Sequence, residues 1–77
     1  MNKLRQIVAD VLLVAPEEVR ASTSFRDFPQ WDSAAHIDII LSLEDEYGVT
    51  FTPEEMISMA SVGALGELLR NKGVPIE

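Results

Sequence analysis

Trp31-Asp32-Ser33-Ala34-Ala35-His36-Ile37-Asp38-Ile39-Ile40-Leu41-Ser42-Leu43-Glu44-Asp45-Glu46-Tyr47-Gly48 is the stretch from which the fold is read. Its two ends carry the signals of a helix over residues 33–47. Asp32 is an N-cap, its carboxylate able to accept from the N–H of Ala34 or Ala35. Trp31 and His36 occupy N′ and N4, the positions of a hydrophobic staple. Gly48 suits the left-handed residue that follows a helix end. With Ser33 at zero and about 100° per residue, Ile39, Ile40, Leu43 and Tyr47 gather between about 240° and 340°, the core face. Ser33, Ala34, Ile37 and Leu41 form a second stripe between 0° and about 100°, with Glu44 inside it and Asp38 and Asp45 along its far edge. Ile37 lies close enough to the core that burial and exposure both stay open; Ala34 and Leu41 are expected to be exposed. Apolar residues edged by acids are the pattern of a transient docking surface. Ser33 opens that stripe where first-turn N–H groups would lie near a phosphate ester.

Outward from this helix the chain is punctuated clearly. Leu4, Ile7, Val8, Val11 and Leu12 fall at i, i+3, i+4, i+7 and i+8, which predicts a helix over residues 3–14, capped by Asn2 and ended by Pro16. Residues 15–31 read as a long connection, broken by Pro16, Pro29 and Ala21-Ser22-Thr23-Ser24, with Val19, Phe25 and Phe28 pinning it to the core. Loops of that length inside small domains tend to be functional. Thr52-Pro53-Glu54-Glu55 is a capping box with proline at N1, opening a short helix that hardly passes Met59. Ser61 caps a last helix to about Asn71, closed by Gly73; Gly63 and Gly66 within it ask for a close backbone neighbour. The fold expected is all-α: a four-helix bundle with three longer helices, a short third helix and a long loop between helices 1 and 2.

Composition narrows the function. With 77 residues and 47% apolar content, the chain is read as a single domain, 1–77, with one core. It has no cysteine and one histidine, His36, so no disulfide or thiolate zinc site is available and no metal site is expected. The longest wholly apolar run, Val11–Ala15, is far short of the roughly 20 residues a membrane span needs. The N-terminal apolar stretch contains Asp10 and keeps helical periodicity, unlike a signal peptide, and a cytoplasmic location is expected. The net charge of −7 argues against nucleic acid as a partner. Between Asp27 and Leu69 there are nine acids and no Lys or Arg. Such a block suits partners with basic docking surfaces, though it also serves solubility alone.

The stretches Trp31–Ile37 and Leu43–Val49 together resemble the phosphopantetheine-attachment region of acyl carrier proteins, a family of small acidic helical bundles with Asp-Ser-Leu at the start of the second helix. Pro16-Glu17-Glu18-Val19 and Phe25 look like the family's early loop, Thr52–Glu55 like the start of its third helix, and Ser61–Leu65 like that of its fourth. The resemblance covers essentially the whole chain. It implies a carrier, not an enzyme, bearing covalent 4′-phosphopantetheine taken from coenzyme A by the hydroxyl of Ser33. Asp32 would support the transfer by helping to bind the transferase's magnesium. Ala34, Ile37, Asp38, Leu41 and Asp45 would form the face read by a phosphopantetheinyl transferase, an acyl- or aminoacyl-loading ligase and acyl-processing enzymes. The chain is read as a monomer that carries acyl thioesters in fatty-acid, polyketide or related biosynthesis. Two residues depart from the family pattern. Ala34 stands where leucine is usual, and Trp31 where glycine is usual, so the chain looks more like specialised stand-alone carriers than the housekeeping fatty-acid carrier.

Three other readings stay open from the residues. The cargo could be an amino acid, as in D-alanyl or peptidyl carriers; a deep apolar pocket lined by Ile37, Ile40, Met56 and Met59 would favour fatty acyl chains instead. The module could be an unmodified helical interaction domain that has no use for Ser33. Ser33 and His36, three residues apart, could form a hydrolytic pair, which needs a mutual hydrogen bond, an orienting group and an oxyanion hole. His36, at about 300°, is read first as a half-buried staple residue. Glu44-Asp45-Glu46 cannot converge on a calcium ion, because consecutive helical side chains point about 100° apart.

Overall fold

The structure, a computed structural model, describes residues 2–58 and 61–74. Its helices are α1 (Asn2–Leu12), α2 (Ser33–Tyr47), α3 (Pro53–Ser58) and α4 (Val62–Asn71), with a 3-10 turn at Pro16–Glu18. The all-α architecture, the short third helix and the long α1–α2 connection are as the sequence indicates. The core takes Leu4, Val8, Ala9 and Leu12 from α1, Ile39, Ile40 and Leu43 from α2, and Val62, Leu65 and Leu69 from α4. Val19, Trp31 and Phe51 come from the connections and seal it. Each helical set repeats at three- or four-residue spacing, so one face of each helix is spent on the core.

The end of α1 differs from expectation. The helix closes at Leu12, not at residue 14, and Pro16 is not what stops it. Leu13 adopts φ 60 and the Val14 N–H reaches back to the Ala9 carbonyl at 3.0 Å. This is a Schellman-type end, whose left-handed residue is usually glycine. For an L-residue that conformation costs about 1–2 kcal/mol. Pro16 instead opens the 3-10 turn, where Glu18 Oε2 accepts from the Ala15 N–H at 3.0 Å. The N-cap assigned to Asn2 rests on a side chain outside the described residues, as does the limit set at Met59; α3 is described as far as Ser58.

The α1–α2 connection is tied down by polar contacts as much as by apolar ones. Val19 is fully buried, and Phe28 is half-buried against the core. Phe25 is not a pin: its ring is 49% exposed. Arg5 donates to the carbonyls of Val19 at 2.8 Å and Pro16 at 3.1 Å. The N–H groups of Val62 and Gly63 donate to the carbonyls of Thr23 and Ala21 at 2.9 and 2.8 Å, and Ser61 Oγ accepts from the Ala64 N–H at 3.2 Å. The connection therefore supplies acceptors to first-turn donors of α4 that have no partner within the helix. A Cβ at Gly63 would lie 3.0 Å from the Ala21 carbonyl oxygen, which is why that helix position carries glycine.

Helix α3 buries no side chain. At six residues it is well below the length at which an isolated helix persists. Half-buried Met56 packs against the core, and polar contacts add to its hold. The capping box forms, with Glu55 N–H donating to Thr52 Oγ1 at 3.2 Å and Thr52 N–H to Glu55 Oε1 at 2.8 Å. Lys72 at the end of α4 pairs with the same Glu55 oxygen at 2.9 Å, its ammonium 5.3 Å from the centre of the Phe51 ring. The Thr52 N–H first, then Lys72, hold the Glu55 carboxyl below its ordinary value. A lowered carboxyl pKa adds stability above the unfolded-state value, about 4.3, and loses it as pH falls through the folded-state value. Glu55→Gln keeps a capping-box acceptor but loses the ion pair. Its thermal midpoint is expected below wild type at pH 7 and converging with it as pH falls below about 4. A gap that persists unchanged into acid would show that Glu55 acts by packing and not by charge.

Candidate functional site

Ser33 is the first residue of α2, exposed, and it opens beside a cleft. Its place is set by Asp32, which is extended at φ −99 and ψ −171 and whose Oδ1 accepts from the Ala35 N–H at 2.9 Å. The N–H groups of Ser33 and Ala34 have no acceptor among the described residues. The first turn of α2 therefore offers free donors next to an exposed hydroxyl, the local arrangement that suits a phosphate.

Behind Ser33 the staple is also a hydrogen-bonded relay. Trp31 is buried, its ring stacked on His36 with centroids 6.2 Å apart and planes 27° from parallel. Trp31 Nε1–H donates to His36 Nδ1 at 3.1 Å. An indole N–H can only donate, so Nδ1 is the acceptor and the imidazole proton sits on Nε2. Nε2 lies 2.9 Å from the Met56 carbonyl and donates to it. Among the described residues that carbonyl has no partner within α3, and His36 reaches it from α2. Both ring nitrogens are thus engaged away from Ser33, and the Ser-His hydrolytic pair lacks its first requirement.

The cleft has a volume of about 520 Å³ and is lined by Phe25, Trp31, Asp32, Ser33, His36, Ile37, Met56 and Ile57. That is within the roughly 300–1,000 Å³ of small-molecule sites. Of the residues expected to line a pocket, Ile37 and Met56 do so. Ile40 does not: it is 1% exposed in the core, and Met59 lies outside the described residues. Phe25 and Ile57 are walls that sequence reasoning missed, because nothing in their local spacing marks a residue left out of the core.

The second stripe of α2 stands clear of the bundle. Ile37 and Leu41 are 54% and 55% exposed, which settles the open question at Ile37, and Ala34, Asp38 and Asp45 are exposed as well. No Lys or Arg among the described residues pairs with Asp38 or Asp45; the ion pairs take Lys3 to Glu46, Arg70 to Glu67 and Lys72 to Glu55. Glu44 leaves the stripe. Its Oε2 accepts from the Phe51 N–H at 2.8 Å and fixes the α2–α3 turn.

Residues 2–69 match the family model described as the phosphopantetheine attachment site. The acyl carrier protein of Thermosynechococcus vestitus is 35% identical over 72 residues, covering 94% of this chain and 89% of its own. The chain belongs to the acyl carrier protein family. It is similar also to the acyl carrier protein of Petrotoga mobilis, 34% identical over 71 residues, 92% of this chain and 84% of that one. Polyketide-8 synthase acyl carrier protein 2 of Streptomyces avermitilis is 37% identical over 71 residues, 92% of this chain and 82% of its own. The prosthetic group is 4′-phosphopantetheine, and acyl carrier proteins of this kind are carriers and not enzymes. The α2 entrance fits the group: an exposed hydroxyl for the ester, two unengaged N–H groups for the phosphate, and an apolar cleft alongside. No described helix is long and apolar enough to cross a membrane.

Proposed function

We propose that Ser33 carries the phosphopantetheine arm and that residues 1–77 act as one cytoplasmic carrier domain. It presents acyl intermediates as thioesters to enzymes of fatty-acid, polyketide or related biosynthesis. The observation that carries this reading is the exposed Ser33 hydroxyl at the head of α2, between the apolar cleft and the acid-edged stripe. In loading, the Ser33 oxygen would attack the phosphorus that bears pantetheine in coenzyme A. The pyrophosphate bond breaks, the adenosine bisphosphate leaves, and the hydroxyl proton passes to a base on the transferase. When bound, the arm supplies the thiol that forms the thioester.

This chain's part is to hold the hydroxyl still. Asp32 fixes the first turn through the Ala35 N–H, using one carboxylate oxygen and leaving the other for the magnesium that accompanies coenzyme A. Ala34, Ile37 and Leu41 would meet apolar surface on the partner enzymes, with Asp38 and Asp45 facing their Lys and Arg.

The test is intact mass after incubation with coenzyme A, magnesium and a promiscuous phosphopantetheinyl transferase. Wild type is expected to gain one arm and Ser33→Ala none. A wild type that stays unmodified with several transferases sinks the carrier reading for this chain. Modification that survives in Ser33→Ala sinks the site.

A further inference from the structure

The cleft beside Ser33 and the core are separated by a partition built from three parts of the chain. Trp31 and Met56 each line the cleft, and each also belongs to the packing of the core, Trp31 within it and Met56 against it. His36 lines the cleft too and is bonded to both. It accepts from Trp31 Nε1–H at 3.1 Å and donates to the Met56 carbonyl at 2.9 Å. The connection, α2 and α3 are thus joined in one strip where cleft and core meet. On its core side Ile39, Ile40 and Leu43 are sealed, at 0%, 1% and 0% exposure. Interiors are close-packed, so a chain tethered at Ser33 reaches those residues only by parting the elements around them. The strip ties these elements together.

On the cleft side apolar surface is left uncovered. Phe25, Ile37 and Ile57 line it and are 49%, 54% and 85% exposed. The ring nitrogens of Trp31 and His36 are already engaged within the fold and offer a ligand nothing. The free polar groups of the lining are those of Asp32 and Ser33, where the arm begins. Arg26 is exposed and outside the lining, its guanidinium 5.8 Å from the centre of the Phe25 ring. An apolar chain laid over Phe25, Ile37 and Ile57 would take their surface out of water, whereas a polar one would find no partner along those walls.

We propose that His36 is a specificity-determining residue: an apolar acyl chain lies in the outer cleft against Phe25, Ile37 and Ile57, and the Trp31–His36–Met56 strip keeps it out of the core. The occupant is this protein's own cargo, because Ser33 is itself a lining residue and the arm tethers the cargo there. This rests on the reading of Ser33 as the attachment residue. Confinement to a cleft of about 520 Å³ favours short and medium acyl chains, since a long one leaves its far end in water.

The experiment loads the protein with unacylated, butanoyl, octanoyl and dodecanoyl arms from the matching coenzyme A compounds, with intact mass to verify loading. Backbone amide shifts are then read residue by residue, each protein against its own unacylated form. In wild type the octanoyl arm is expected to shift the amides of Phe25, Ile37, Met56 and Ile57 and to leave those of Ile39, Ile40 and Leu43 in place. The dodecanoyl arm should add no residue to that set. His36→Ala and the better-packed His36→Val each remove both bonds of the strip. In whichever of them folds, the dodecanoyl arm should now shift Ile39, Ile40 and Leu43. His36→Gln, whose side-chain amide can accept from Trp31 and donate to Met56, should behave as wild type. Core amides that move in dodecanoyl wild type, or cleft amides that stay still in the octanoyl form, overturn the placement of the cargo. A core that stays closed in the variants lacking both bonds overturns the role of His36. A wild type that gains no mass instead overturns the reading of Ser33.

Discussion

Leu43→Ala is expected to lower the free energy of unfolding by about 3 kcal/mol, within the range of about 2–5 for buried leucines. Leu43 is fully buried on the core face of α2, in the same core cluster as the buried residues of α1 and α4. At about 0.05–0.15 kcal/mol per residue, a chain of this length has stability of order 4–12 kcal/mol, so one cavity removes a quarter or more of it. The comparison that gives this meaning is Leu41→Ala. Leu41 is two residues away, of the same size, and 55% exposed. Its loss should change stability by no more than about 0.5 kcal/mol. Urea denaturation of both variants, with unchanged m-values, measures the difference. Equal effects would mean that the two faces of α2 are not divided as described, and the docking stripe would lose its basis.

The division of α2 was legible because it depends on periodicity alone. Asp32 and Gly48 cap the fifteen residues between them, and the wheel separates Ile39, Ile40 and Leu43 from Ala34 and Leu41 without any tertiary knowledge. The capping box at Thr52 and the cap at Ser61 were legible for the same reason: each is a contact between residues three apart. What the sequence could not show depends on partners far along the chain. The end of α1 turns on the φ of Leu13, and a leucine gives no local sign of that conformation. Phe25 reads as a loop anchor, yet it lines the cleft half exposed, while Val19 and Phe28 hold the connection to the core. Of the pocket expected around Ile37, Ile40, Met56 and Met59, the core closes over Ile40, and the cleft that Ile37 and Met56 line opens outward between the α1–α2 connection, α2 and α3. Ser33 and Asp32 could be proposed from the family's pattern. The polar relay behind them could not, because it needs an indole, an imidazole and a carbonyl 20 residues further on.

That relay makes the cleft depend on two residues. Ile57 and Met56 form its α3 wall, and Met56 also packs, half-buried, against the core. One end is fixed by Thr52, Glu55 and Lys72; nearer the other, His36 reaches the Met56 carbonyl from α2 and Ser58 Oγ donates to the Glu55 carbonyl. Trp31→Ala is expected to cost about 3–5 kcal/mol, the usual range for a buried tryptophan, and to leave a marginal fold. Trp31→Phe keeps most of the apolar body and removes only the donor, leaving Nδ1 of a half-buried imidazole unpaired, for about 1 kcal/mol. His36→Phe removes the Nε2 donor as well and frees the Met56 carbonyl.

The informative readout is hydrogen exchange resolved by residue. In His36→Phe the amides of α3 should exchange at least several-fold faster, while those of α1, α2 and α4 slow or speed only with global stability, because α3 opens as its own unit. The double variant Trp31→Phe/His36→Phe should be less destabilised than the sum of the single variants, since neither is left with an unpaired partner. Acceleration spread evenly over all four helices would show that His36 supports the bundle as a whole, and the assignment of α3 to its side-chain cap would fall. Additive single variants would instead remove the Trp31–His36 bond from the account and leave only the stacking of their rings.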